Sequence, residues 1–345
     1  MKAAVIHAAR DLRIEETDLL DPMGPNDVTV RVRAGGICGS DLHYYQDGGF
    51  GTVRVREPMI LGHEAAGEIL AVGAGVTHLR TGQRVAINPS RACGHCQYCL
   101  RGMPRHCLDM RFNGSAMRMP HVQGLFRERY VCPAHQVVPV GEDVPLAIAA
   151  FAEPLAVCLH AARQAGDLQG RRVLVTGCGP IGALCVLVAR HAGARQVVVT
   201  DIADAPLAIG ARIGADQALN TRENPRALAP FTENKGVFDV VFEASGAAPA
   251  LADALLTARA GATLVQVGIG GPEVPVALNT VVAKEIAVRG SFRFDEEFAW
   301  AVEFLAAGRI DVRPLLTETV DLLDAVRGFE LAVDRGRAMK VQIAL

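Results

Sequence analysis

Three observations predict an α/β chain built from two unlike modules, one of them a doubly wound parallel sheet. The first is length: 345 residues exceed one ordinary core and suggest two domains. The second is a strand–turn–helix pattern, Arg171-Arg-Val-Leu-Val-Thr-Gly177-Cys-Gly179-Pro180-Ile181-Gly182, followed by an apolar run. The third is a group of four cysteines, Cys93, Cys96, Cys99 and Cys107, confined to one short stretch.

Composition narrows the functional class before any element is placed. Half the residues are hydrophobic, yet no uninterrupted apolar run reaches the roughly 18 residues of a membrane span, so no membrane partner is expected. Lys plus Arg (35) nearly balances Asp plus Glu (37), with no basic block to match a row of phosphates; a nucleic-acid partner is not expected either. No basic-plus-apolar leader opens the chain, which predicts a cytoplasmic protein in a reducing compartment.

In chain order, the first candidate site is Gly35-Gly-Ile-Cys38-Gly-Ser40-Asp-Leu-His43 together with Leu61-Gly-His63-Glu64. These place a thiol, an imidazole and a carboxylate on two glycine-flanked turns, and Glu153-Pro154 adds a second acid. Such a set could hold a catalytic zinc with one exchangeable position. Taken singly each has a plainer reading: Cys38 as a small buried hydrophobe, His63 as a loop histidine, Glu64 as a solvated acid.

The next element is the cysteine loop. Its spacing suits a tetrahedral zinc whose four positions are all filled by thiolates, a structural site that leaves no room for substrate. Two disulfides or an iron–sulfur cluster are the competing readings, and a reducing compartment disfavours the first. His95 and His106 lie beside the loop, but four thiols already complete a shell. Cys132, Cys178 and Cys185 lack partner spacing and are expected to pack as small buried residues, with Cys178 placed by the glycine turn where oxidation could reach it.

The glycine turn opens the second module. Gly177 permits the tight turn, Gly179 lets backbone approach a pyrophosphate, and Gly182 allows close helix–strand packing, with Pro180 and Ile181 at the helix start. A second strand, Gln196 to Thr200, ends on Asp201, 19 residues beyond Gly182, where a carboxylate would meet the ribose hydroxyls of a dinucleotide. The residues that follow, Ile202-Ala203-Asp204, offer no cation for a 2′-phosphate, so NAD is favoured and NADP left open, with Arg222 as a distant base. Strands at 237–242 and 262–267 alternate with a helix at 250–258, as a parallel sheet requires.

The order and separation of these motifs resemble the zinc-dependent medium-chain alcohol and polyol dehydrogenases, over essentially the whole chain. The resemblance implies a GroES-like β-rich catalytic domain (1–154, with the zinc lobe at about 90–108), a Rossmann domain (155–295), and a C-terminal segment (296–345) returning to the catalytic domain. It implies two zinc ions per chain: a catalytic one on Cys38 and His63 with Glu64 or Glu153, and a structural one on Cys93, Cys96, Cys99 and Cys107. It also implies Ser40 and His43 as a proton relay, although Ser40 capping the turn at Asp41 is the simpler alternative. Relatives of this kind commonly form dimers or tetramers.

The finer resemblance, through Cys38 to Gln46 and Gly290 to Phe294, is to polyol-branch members that oxidise L-idonate at carbon five to 5-ketogluconate. In the related sorbitol dehydrogenases a tyrosine after the relay histidine and an Arg-Tyr pair help hold the polyol; Tyr44 and Arg293 match these, whereas Phe294 replaces the tyrosine. Arg293 suits the carboxylate of a sugar acid or, equally, a structural salt bridge. Sorbitol, xylitol and L-threonine are the alternative substrates; a non-catalytic zinc-binding scaffold is the remote one.

Overall fold

The run Arg172–Thr176 forms the first of six parallel strands, and its Val173, Leu174 and Val175 are fully buried. Helices cover both faces of such a sheet, so its strands read as unbroken β-branched runs. Across the sheet the order is Gln217–Asn220, Gln196–Asp201, Arg172–Thr176, Phe238–Glu243, Ala258–Gln266 and Ala287–Gly290, all parallel. Chain order reverses between Arg172–Thr176 and Phe238–Glu243, the place where doubly wound sheets open a ligand crevice. The computed structural model describes residues 1–271 and 273–345.

Three elements differ in their bounds from the sequence expectation, and the strand expected at 237–242 spans Phe238–Glu243. The helix expected at 250–258 spans Ala248–Thr257, because Pro249 fits its first turn, where no backbone N–H is needed. The strand expected at 262–267 already starts at Ala258 and resumes after Gly261, whose φ of +71° makes a register shift against Phe238–Glu243.

A second, mainly antiparallel sheet holds Val137–Pro139, Arg84–Ile87, Glu64–Val72, Asp27–Gly36, Lys340–Ala344 and Leu316–Asp321 in that order. Strand Arg129–Pro133 also pairs with Asp27–Gly36. The last strand of the chain thus lies beside Gly35 and Gly36, next to the first candidate site.

The helical stretch Leu146–Ala165 is long and apolar enough to cross a membrane by length and composition, yet it is mostly buried inside the protein. It is a core element carrying Glu153 and His160, and helix Glu297–Ala306 packs against it.

Candidate metal centres and nucleotide crevice

Strand Asp27–Gly36 delivers Cys38 to the N-terminus of helix Gly39–Asp47. The Cys38 N–H donates to Asp41 Oδ2 at 3.0 Å, and the Gly62 N–H donates to Asp41 Oδ1 at 3.1 Å. One fully buried carboxylate therefore ties the thiol turn to the histidine turn. The donor atoms of Cys38, His63 and Glu64 all lie within 4.8 Å of one another, in buried surroundings.

The electrostatics of this set suit a cation. His63 Nδ1 is buried without a hydrogen-bond partner, 3.7 Å from Asp41 Oδ1. Burial, reinforced by Glu64, pushes the Cys38 thiol up to about 12. Burial likewise pushes Glu153 up to about 8, despite the opposing pull of His63. Burial penalises each anion here, and a divalent ion would reverse that penalty. The sulfur, nitrogen and oxygen donors of the set fit zinc, although a buried lysine, Lys340, stands against the Glu64 carboxylate. Glu153, on the first turn of helix Ala152–Ala165, stands outside the three-residue set although its charge is felt there.

Sequence reading missed Lys340. Its buried Nζ donates to Glu64 Oε1 at 2.6 Å and to the Ile37 carbonyl at 3.0 Å. Glu64 Oε2 lies 2.5 Å from the same nitrogen but receives no directed hydrogen bond. Burial works against the Lys340 charge, yet Glu64 and Cys38 hold its pKa above the ordinary value. Opposite Glu64 on the neighbouring strand is Gly36, where a Cβ would come within 2.1 Å of Oε2. Lys340 lies far away in sequence, at the start of a short buried strand inside the sheet.

Ser40 and His43 lie one turn apart on the same helix, Ser40 half-buried and His43 exposed with Nδ1 3.5 Å from Asp47 Oδ2. Tyr44 is buried, and its hydroxyl accepts the Ala116 N–H at 3.1 Å. Arg293 lies with its guanidinium carbon 4.4 Å from the centre of the Phe112 ring and 4.8 Å from that of Phe292. Phe112 in turn lies 5.4 Å from the His63 ring. Burial lowers the Arg293 pKa to about 10, while Glu153 and Tyr44 act against that. Among the described residues no carboxylate lies within ion-pair distance of Arg293, so the structural salt bridge raised as an alternative is absent.

The four cysteines form a second set, their sulfurs all within 4.8 Å of one another and unbonded. Backbone N–H groups of Cys93 and Asp109 point at Cys107 Sγ, at 3.1 and 3.3 Å. The mutual closeness of all four sulfurs fits one tetrahedral ion better than two separate disulfides. His95 is exposed with Nδ1 2.8 Å from the Cys93 carbonyl, and His106 stacks on Phe292; neither belongs to the set.

At the crevice, Gly177 has φ +84°, and a Cβ there would come within 2.8 Å of Ser245. A Cβ at Gly182 would strike the Gly177 carbonyl at 1.8 Å, whereas one at Gly179 would meet nothing within 4 Å. Backbone therefore faces open space at the start of helix Pro180–His191, which fits a pyrophosphate. Asp201 Oδ2 accepts the Cys178 N–H at 2.7 Å, setting the carboxylate against the glycine turn. Cys178 itself is fully buried and bonded to the Pro206 carbonyl, which corrects the expected access to oxidants. Glu243, absent from the sequence expectation, is fully buried at the end of the neighbouring strand and accepts the N–H groups of Ser245 and Gly246, fixing the loop opposite Gly177.

Residues 24–142 match the family described as the alcohol dehydrogenase GroES-like domain, and residues 180–307 match the zinc-binding dehydrogenase family. The chain is 43% identical over 318 residues to L-idonate 5-dehydrogenase (NAD(P)(+)) of Escherichia coli K12, covering 92% of each. It is 36% identical to the sorbitol dehydrogenase of Gallus gallus, covering 99% of this chain and 95% of that one. The crystal structure of the E. coli L-idonate 5-dehydrogenase superposes with a TM-score of 0.95 at 40% identity, over 100% of this chain and 98% of that one.

Proposed function

We propose, for a chain that belongs to the zinc-dependent medium-chain alcohol and polyol dehydrogenase family, that its reaction is the reversible oxidation of L-idonate at carbon five to 5-ketogluconate. The observation that carries this reading is Arg293, a guanidinium without a carboxylate partner, one aromatic ring away from His63. A sugar acid supplies the missing anion, and a neutral polyol does not.

Cys38 and His63, with Glu64 or Glu153, would hold the catalytic zinc, and Cys93, Cys96, Cys99 and Cys107 the structural one. When bound, zinc supplies a Lewis acid that eases loss of the hydroxyl proton, and NAD supplies the hydride acceptor. Gly177, Gly179, Pro180, Ile181 and Gly182 would cradle the pyrophosphate, and Asp201 would meet the ribose. Ser40 takes the hydroxyl proton inside the cleft and exposed His43 passes it to solvent, with Asp47 beside its Nδ1. Arg293 and Tyr44 orient the sugar acid. Oxidation releases one proton, so alkaline assay favours it and acid favours reduction.

Residues 1–154 and 296–345 would form the catalytic body and 155–295 the nucleotide body; pairing of Lys340–Ala344 with Asp27–Gly36 supports the return of the C-terminus. A homo-oligomer is part of the proposal, because the edge strand Ala287–Gly290 is exposed, with Val288, Leu278 and Val282 presenting apolar surface beside it. A reducing, cytoplasmic setting suits four thiolates.

The test is NADH formation by zinc-loaded enzyme with L-idonate, D-sorbitol, xylitol and L-threonine in parallel, repeated with NADP. Preference for L-idonate supports the proposal. Preference for a neutral polyol removes the role of Arg293 and leaves a sorbitol-type enzyme.

A further inference from the structure

Arg293 has φ +53°, a left-handed backbone that a non-glycine residue holds only when its surroundings impose it. Phe292, just before it, and Asp295, two residues after it, are both held by the four-cysteine lobe. Phe292 stacks on His106, with ring centres 5.9 Å apart and planes 18° from parallel. Asp295 Oδ1 accepts the Arg105 backbone N–H at 2.9 Å, and Oδ2 accepts the Arg105 guanidinium in a half-buried ion pair. Arg105 and His106 form the turn directly before Cys107.

Beyond Asp295 the same segment is fastened to the helix that carries Glu153. The Asp295 N–H donates to Glu297 Oε2 at 2.8 Å. Glu297 Oε1 in turn meets His160 Nδ1 at 2.9 Å and Arg163 Nη1 at 2.7 Å. Arg293 is thus held on a strap between the cysteine lobe and the helix Ala152–Ala165.

We propose that the four-cysteine lobe is the positioning element for Arg293: through Arg105–Asp295 and His106–Phe292 it sets the enzyme's selectivity for substrates bearing a carboxylate. The proposal rests on the reading of Arg293 as the partner of that carboxylate. Arg105 and Asp295 touch no substrate; they act by fixing where the guanidinium points. The lobe then contributes to specificity although its four sulfurs would leave no open position on a bound zinc.

Zinc-loaded enzyme carrying Asp295→Asn, Arg105→Lys, Arg293→Ala, or Arg293→Ala with Asp295→Asn tests this. Turnover of L-idonate and D-sorbitol is measured along with calorimetric binding of each. Asp295→Asn is expected to weaken L-idonate about tenfold through KM, with kcat and D-sorbitol unchanged. Arg105→Lys, which keeps the charge, retains most of the selectivity. In the Arg293→Ala background, Asp295→Asn adds nothing to the selectivity ratio. A parallel loss for both substrates in Asp295→Asn, with zinc content and melting temperature lowered, overturns the positioning role, as does an unchanged ratio where Arg293→Ala lowers it. An unchanged ratio in Arg293→Ala removes the carboxylate reading itself, and the positioning role falls with it.

Discussion

The two donor sets differ in how the chain assembles them. The cysteine set is local: four sulfurs from one loop, oriented by that loop's own N–H groups. The Cys38–His63–Glu64 set draws on separate turns and leans on Asp41, Lys340 and Glu153 for its charge environment. A closed site needs only ligands at the right spacing, whereas an open site needs its surroundings to hold the ligands while a position stays free.

Removing one proposed ligand from each set separates their roles most widely. Cys38→Ser is expected to cut kcat/KM by about a thousandfold or more while leaving one metal per chain and an unchanged melting temperature. Cys96→Ser should do the reverse, lowering the melting temperature by several degrees and leaving residual turnover, because metal at a closed site contributes folding energy. Metal content by mass spectrometry beside calorimetry separates the two. Equal loss of activity and stability in both variants would mean that the sets are not functionally distinct.

An effect on stability alone is expected at Lys340. Lys340→Met leaves Glu64 buried without its partner, and loss of one member of a buried pair costs about 3–5 kcal/mol. Denaturant unfolding should show that cost, and Glu64→Gln in the same chain should recover most of it. Additive losses would mean that the two side chains do not interact.

The same contrast explains what could be read without coordinates. The cysteine lobe, the glycine turn and Asp201 are legible because their chemistry lies within short windows whose spacing has mechanical meaning. Cys38, His63 and Glu64 stand out as motifs, but the contacts that support them do not. Lys340 reaches Glu64 from the far end of the chain, and nothing in Lys-Val-Gln-Ile-Ala indicates that its first residue points into a polar site. Glu243 reads as an ordinary strand end, though its carboxylate gathers the loop opposite Gly177. Arg293 was visible by type, but its aromatic neighbours and its strap to Arg105 exist only after the cysteine lobe has folded against the segment.

Asp41 tests how far the open site depends on support. Asp41→Asn keeps the shape and weakens the two hydrogen bonds that join the Cys38 and His63 turns. Outer groups of this kind typically change metal affinity about 10- to 100-fold. Competition with a chelator should show zinc leaving the open site first, with the cysteine-bound metal retained. Equal release from both sites would remove the distinction.

The smallest expected effect lies in the joint between the two regions, at Glu297. Burial alone would raise this carboxyl, but the His160 ring and the Asp295 N–H outweigh it and hold the pKa down to about 2, below the ordinary 4.5. A depressed pKa means that the folded state binds this proton less readily than the unfolded chain. Its stabilisation is therefore complete above about pH 4.5 and is lost as pH falls from there towards 2. Glu297→Gln should lower the melting temperature modestly at neutral pH and flatten its decline over that acid range. The wild-type and variant curves should converge near the acid end, where the native carboxyl is protonated too. Curves that stay parallel throughout would mean that Glu297 contributes packing alone, and that the strap between cysteine lobe and core helix is not held by its charge.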